Sequence, residues 1–446
     1  MTKLIQLWAE LRSSFWFVPS LIVASSMAFA VALIEADSAV SDQWLSQWPR
    51  LFGVGAEGAR QMLSTLAGSM MTVMGITFSM TLLALAQASS QYTSRILRNF
   101  MRSRITQMTL GAFAGIFAYC LIVLRTVRGG GAGDEFVPSL AVFFAFIMAL
   151  GGIGALIYFI HHIATSIQAS SIIATIAQET NASLDRVLPK ETQQDSNAEA
   201  GCNRDLALLD ARVWYPVAAT STGYIQSVDT AALMDLARDS SSVVRMERGI
   251  GSFVVQDTAL VSLALTQPPE QKIVTAFNAT YSIGRQRTVE QDPGFGIRQI
   301  VDVAIKALSP GVNDTSTAVM CVDYLTAILA RLAGRQFPPR HGYEGETLRV
   351  VAIVLSFEGL LAEAFDQIRA SAETNVAILL RMLSALETIA SQTISRSHIG
   401  ALDQQLQWIA EVVGRCIKST HDRARLDKRL SQVSKMLETQ SALNIN

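Results

Sequence analysis

The chain has 446 residues, half of them hydrophobic and 16% charged, with a formal net charge of −1. Soluble domains carry about 25% charged residues, so part of this chain is membrane-like, and its near-neutral balance gives nucleic acid no electrostatic footprint. Four cysteines (Cys120, Cys202, Cys321, Cys416) form no CxxC pair and no zinc spacing, so they provide neither a disulfide framework nor a zinc motif and fit a reducing compartment.

Four uncharged apolar runs fill the first part of the chain, at about Phe15–Ile34, Met62–Ala88, Met108–Leu124 and Phe136–Ile160. A helix crossing a bilayer core needs roughly 20 apolar residues, which predicts four transmembrane helices within residues 1–165. Glu35 and Asp37 follow the first run instead of a clear cleavage site, so it reads as a retained span. No acid or base lies inside the runs, which argues against a proton-relay pump or ion-coupled carrier.

The second loop carries Arg95, Arg98, Arg102 and Arg104 without an acid. The positive-inside rule then places both termini in the cytoplasm of a bacterial inner membrane. Arg95, Arg98 and Arg102 fall on one helical face, suited to lipid head groups or to an inner vestibule. The second run is the least lipid-like. Thr65, Gly68, Thr72, Gly75, Ser79, Ala86 and Ser90 share one face, and Gln87 lies near its end. Small residues let helices approach closely. The same face could line a water-filled path, with Thr72, Ser79, Gln87 and Ser90 as pore-lining candidates. The third run contains a GxxxG, Gly111 to Gly115, and the fourth Gly151, Gly152 and Gly154. His161 and His162 end the fourth run as interfacial polar caps, and its helix is expected to continue to Leu188.

Residues 166–203 read as this helical extension and a polar linker from Pro189, residues 204–267 as a β-rich module, and residues 268–446 as a helical domain. Strands are expected at Arg212–Thr220, Gly223–Val228, Ser242–Glu247, Ser252–Gln256 and Leu260–Ala264, with a short helix capped by Asp229 between the second and third. Helices are expected at about Glu270–Arg285, Phe295–Ala307, Thr315–Leu332, Glu344–Ala370, Asn375–Ser391 and Ala401–Leu437. The fold class is therefore an integral membrane helical domain plus an α+β cytoplasmic domain, a small β-barrel-like module followed by a helical bundle. The module looks like the barrel-sandwich domains of lipoyl and biotinyl carriers, but no lysine occurs between Lys190 and Lys272, so a carrier role is excluded.

The densest polar constellation runs from Gly284 to Ala318. It brings Arg285, Arg287, Asp292, Asp302, Asn313 and Asp314 together with glycine turns. Arginine pairs bidentately with carboxylate or phosphate, and loop Asp and Asn can hold a hard cation. Asp314 before a helix is equally an N-cap, and Ser309-Pro310-Gly311 a turn. No nucleophile elbow, Walker loop, Rossmann glycine pattern, HExxH or kinase motif is present, so neither an enzyme nor a cofactor or metal is expected.

At these residues the chain resembles a family of bacterial four-span membrane proteins catalogued as a domain of unknown function. The resemblance rests on Phe78-Ser79, Ala88-Ser-Ser-Gln91-Tyr92 with Arg95, Gln107 with Leu110-Gly111, His162, Gly223-Tyr224, Gly284-Arg285, Gln291-Asp292 and Ala307-Leu-Ser-Pro-Gly311 with Asn313-Asp314. Family members usually carry Pro after Asn-Asp, where this chain has Thr315. The resemblance implies the architecture and no activity. The residues themselves point to a homo-oligomeric channel or transport protein in contact with lipid and ions, its second span lining the path and its cytoplasmic domain assembling and gating. The alternative is a non-conducting scaffold or sensor whose cytoplasmic domain binds a ligand or partner. An enzyme using Arg287, Asp292 and Asp314 ranks last.

Overall fold

The structure, a computed structural model, describes residues 16–39, 55–91, 104–128, 136–166, 168–188, 213–393 and 395–443. The arginine cluster Arg95, Arg98 and Arg102, the side chain of Ser90, and the polar linker lie outside the described residues. The chain divides into two units, Met1–Ser171 and Ile172–Asn446.

The first unit holds α1 (Phe17–Ala39), α2 (Ala56–Gln91), α3 (Arg104–Thr126) and α4 (Ser139–Ser166). All four are long and apolar enough to cross a membrane. The most buried of them is α3, which packs against the other three. Its Gly111 and Gly115 bring the backbone against α1, where an added Cβ would stand 2.9 Å from Pro19 Cα and 2.6 Å from Ser26 Oγ. The GxxxG is therefore a packing seam within the chain. Phe113, Ile116, Cys120 and Val123 fill the core, and Tyr119 donates from its hydroxyl to Ala141 O at 2.8 Å.

Helices α1 and α2 outrun the apolar stretches. Asp37, expected in a loop, lies on α1, and its carboxylate accepts from Leu140 N (3.2 Å) and Ala141 N (3.1 Å). One carboxylate thus occupies the positive end of α4, where unpaired N–H groups need an acceptor. Arg60 lies on α2 and donates to Val127 O at 3.1 Å, next to the Arg128–Phe136 bridge that leads into α4. The 36 residues of α2 at about 1.5 Å each span roughly 54 Å, well beyond a hydrocarbon core of about 30 Å.

The expected continuation of the fourth span is interrupted. A separate helix, α5 (Ala169–Val187), follows α4, and from Ile172 onward it belongs to the second unit. That unit continues with β1 (Trp214–Ala218), β2 (Gly223–Val228), α6 (Thr230–Asp239), β3 (Val243–Met246), β4 (Phe253–Val254), β5 (Ala259–Ala264), α7 (Gln271–Ala279) and β6 (Tyr281–Gly284). Then come α8 (Pro293–Leu308), α9 (Thr315–Ala333), β7 (His341–Glu344), β8 (Thr347–Val351), α10 (Phe357–Ser371), α11 (Val376–Ala390), α12 (Arg396–Cys416) and α13 (Thr420–Leu443).

The strands form two open sheets, ordered β1-β5-β3-β8-β7 and β4-β2-β6, so the described strands close no barrel. A single core joins them, with Val217, Ile225, Val244, Leu263 and Phe277 contributed by both sheets and α7. Three expected helices change here. Residues 281–284, read as the end of a helix, form β6, because Tyr281 and Ile283 pair with Val228 and Ile225 of β2. The helix expected from Glu344 begins at Phe357, because residues 341–351 make a hairpin whose β8 runs parallel to β3. The long last helix breaks at residues 417–419, where Ser419 Oγ accepts from Asp422 N at 3.3 Å.

Helices α8 to α13 form the bundle. Among the described residues, a fifth helix long and apolar enough to cross a membrane is α9, and its apolar face (Val322, Leu325, Leu329, Leu332) is buried against α8 and α11. Its charged residues pair with other helices of this unit, Asp323 with Arg381 and Arg331 with Asp185. His398 is buried between Phe357 (4.3 Å, stacked) and Phe337 (5.7 Å, edge-on). Burial lowers its pKa, although the Ala333 carbonyl and Glu358 work the other way. The unfolded chain therefore takes up this proton first as pH falls below about 6.5, and folding stability declines in that window. Thermal unfolding of the full-length protein is expected to show a lower midpoint at pH 5 than at pH 7.5, with a smaller difference in His398→Phe.

Candidate functional site

Among the described residues, two regions carry the polar chemistry, one in each unit. In the first unit, Thr65, Gly68, Thr72, Gly75, Ser79, Ala86 and Gln87 are all exposed on α2. Leu63, Ala67, Met70 and Thr77 point the other way and are buried. A Cβ built on Gly68 or Gly75 meets nothing within 4 Å, unlike one on Gly111, Gly115 or Gly152. The small, weakly polar face of α2 is therefore not used for packing within this unit. Thr65 and Thr72 donate to the carbonyls four residues back, at 2.7 and 3.0 Å, which satisfies their hydroxyl protons and leaves the oxygens able to accept.

In the second unit the Gly284–Ala318 constellation separates into distinct local arrangements. Arg287 and Asp292 form a bidentate pair, Nε to Oδ2 at 2.8 Å and Nη2 to Oδ1 at 3.1 Å. Asp292 also N-caps α8 by accepting from Phe295 N at 3.0 Å, and the Arg287 guanidinium lies 5.1 Å from the Phe295 ring centroid. Gly251, at φ +80°, passes so close that an added Cβ would sit 3.0 Å from Arg287 Nε. Arg285 is exposed. Asp302 pairs with Arg298 at 2.9 Å, and Arg298 also reaches Glu363 of α10. Asp314 N-caps α9, accepting from Thr317 N (3.0 Å) and Thr317 Oγ1 (2.6 Å), and the Thr317 hydroxyl and amide hold its carboxyl below the ordinary range. Asn313 takes φ +48° in the turn between the two helices. Among the described residues no three His, Cys, Asp or Glu side chains are placed to hold a metal ion.

A cavity of about 530 Å³ opens in this unit. Leu188 at the end of α5, Leu233 and Met234 of α6, Met246 of β3 and Val350 of β8 give it apolar walls. Arg186, Glu290, Gln291 and Ser252 add polar groups. Gln291 Oε1 accepts from Val228 N at 3.0 Å, tying the segment before α8 to the end of β2.

A family model described as "Predicted membrane protein (DUF2254)" matches residues 12–388. The chain belongs to the DUF2254 family. Among its relatives, an uncharacterized protein of Mycobacterium bovis is 30% identical over 440 residues, covering 97% of this chain and 82% of the relative. An uncharacterized protein of Mycobacterium tuberculosis gives the same identity and the same coverage. No solved structure matches the chain.

In this DUF2254 protein the Ala307–Asp314 motif is the connection between α8 and α9. Asp314 N donates to Ala307 O at 2.8 Å and Asn313 N to Ser309 O at 2.9 Å. These two bonds and the Asp314 cap fix the turn with Thr315 as the first residue of α9. Sequence reasoning missed Arg335, which is only 5% exposed. It donates from Nη1 to Leu184 O (3.0 Å) and to Leu188 O, and from Nη2 to Asp185. Arg331 reaches the same carboxylate at 2.6 Å, and the hydrogen bond from Arg335 holds the Asp185 pKa below its ordinary value. The two arginines at i, i+4 near the end of α9 were the only signal, and nothing in the sequence names their partner.

Proposed function

We propose that this protein is a homo-oligomeric inner-membrane channel or transport protein in which α2 lines the path. One observation carries the reading: the face holding Gly68, Thr72, Gly75 and Ser79 is exposed on the surface of its own unit. Bare glycine backbone and hydroxyl oxygens gain little from lipid tails, whereas a second copy can pack on them closely and water can hydrogen-bond them. One four-span chain, α1 to α4, encloses little by itself, so several copies arranged about an axis supply the path. Both termini and the C-terminal unit lie in the cytoplasm in this reading, supported by the acid-free arginine loop between α2 and α3. The C-terminal unit then assembles the copies and gates them.

Ion flux from liposomes containing the purified protein tests this. Flux is expected under voltage, tension or a pH step, and Gly75→Leu or Ser79→Phe is expected to reduce it at least tenfold without loss of folded protein. No flux under any of the three stimuli would leave the non-conducting scaffold or sensor as the better reading.

A further inference from the structure

We propose that the cavity in the C-terminal unit is a binding site for a single-chain amphiphile with an anionic head group. The inference stands on this unit alone and holds whether or not α2 conducts. A volume of about 530 Å³ falls within the range of small-molecule sites, about 300–1,000 Å³. Leu188, Leu233, Met234, Met246 and Val350 give the cavity apolar walls, and the two unbranched thioethers adapt to a flexible chain. The walls therefore select an extended apolar body.

The charge at one end selects the head. A bare helix C-terminus repels anions, because its last carbonyls are unpaired and negative. At α5 this field is reversed. The buried Arg335 guanidinium covers the Leu184 and Leu188 carbonyls, Arg331 adds a second positive charge and Asp185 is the carboxylate between them. Arg186 is exposed in the last turn and lines the cavity. Three guanidinium groups thus stand against two carboxylates at this end, Asp185 and that of Glu290, whose backbone carbonyl accepts from Ser183 Oγ of α5 at 3.2 Å, which leaves positive charge in excess. The other acid of the lining, Asp292, is neutralised by Arg287. The head of the ligand accordingly sits at Arg186, with its chain along Leu188, Met234 and Val350. Occupancy then bears directly on the end of α5, the helix that follows the fourth membrane helix in the chain.

The test uses the full-length protein in phosphatidylcholine nanodiscs, with the fluorescent fatty acid cis-parinarate as probe and empty nanodiscs as the baseline. Saturable binding above that baseline is expected, displaced by decanoate at least tenfold more effectively than by decanol. Arg186→Ala is expected to erase the preference for decanoate and keep the binding of decanol. Met234→Trp narrows the cavity and is expected to weaken saturable binding at least tenfold, and Ala352→Leu, at another residue of the lining, serves the same purpose if Met234→Trp does not fold. Binding no greater than that of empty nanodiscs would overturn the site. So would unchanged affinity in a folded variant with the narrowed cavity. Equal displacement by decanoate and decanol in the unaltered protein would overturn the head-group assignment, and with it the proposal.

Discussion

Arg335→Met is expected to lower the stability of the C-terminal unit by about 2–3 kcal/mol. The methionine keeps most of the side chain's volume and removes its donors. Leu188 O then loses its partner inside the fold, at a cost of about 1–3 kcal/mol for a buried group left unsatisfied, whereas Leu184 O loses the bond from Arg335 and keeps the one from Leu188 N at 2.8 Å. Asp185 adds little to the loss, because its side chain is 48% exposed and water can solvate it. The neighbouring Arg331→Met is the control. It breaks an ion pair between two side chains that are each more than a third exposed, worth less than about 1 kcal/mol. Thermal unfolding of the full-length protein is expected to separate the variants, with the Arg335 midpoint falling by roughly 5–10 °C and the Arg331 midpoint barely moving. Equal shifts would mean that the carbonyls are not held by Arg335.

Asp292→Ala is expected to destabilise the same unit by about 3 kcal/mol. It removes the α8 cap, worth about 1 kcal/mol, and both charge-assisted bonds to Arg287. The stranded guanidinium is 29% exposed, so water lessens the penalty from the roughly 3–5 kcal/mol of a fully buried broken pair. Asp292→Asn keeps an acceptor for Phe295 N and loses the charge, so a smaller loss of about 2 kcal/mol is expected. Asp314→Ala removes an exposed cap and is expected to cost only about 1 kcal/mol. The order Ala at 292, then Asn at 292, then Ala at 314, measured by chemical denaturation, checks this account. An Asp292→Asn protein with unchanged stability and abolished function would instead favour the catalytic reading of the Arg287, Asp292 and Asp314 group.

Features encoded over a few residues were legible in the sequence. The apolar runs, the β2 strand and the Asp229 and Asp314 caps depend on composition and spacing within one or two turns. Features made by distant segments were not. Strand β8 owes its conformation to pairing with β3 about a hundred residues earlier, and its five residues are too short a run to stand apart from the helical pattern that follows them. The run at Thr315–Ala333 passes for a membrane span by composition, and only its packing in the bundle shows where that apolar face is used. The polar constellation looked dense because its members are close in sequence, yet Asp292 and Asp314 each cap a different helix. The Arg335 clamp and the cavity arise from segments between residues 184 and 355 that no local pattern connects. The polar face of α2 was legible as a face, but its outward direction was not, because that depends on which side of α2 the other three helices occupy.

That outward face is the centre of the functional account, and cysteine cross-linking in native membranes tests it most directly. In a background lacking Cys120, Cys202, Cys321 and Cys416, single cysteines replace Thr72, Ser79 or the exposed Met80, the last about 80° around the helix from Thr72 and about 100° from Ser79. The account predicts oxidant-induced dimers for Thr72→Cys and Ser79→Cys and far fewer for Met80→Cys. Dimer yields at Thr72 and Ser79 no higher than at Met80 would contradict it.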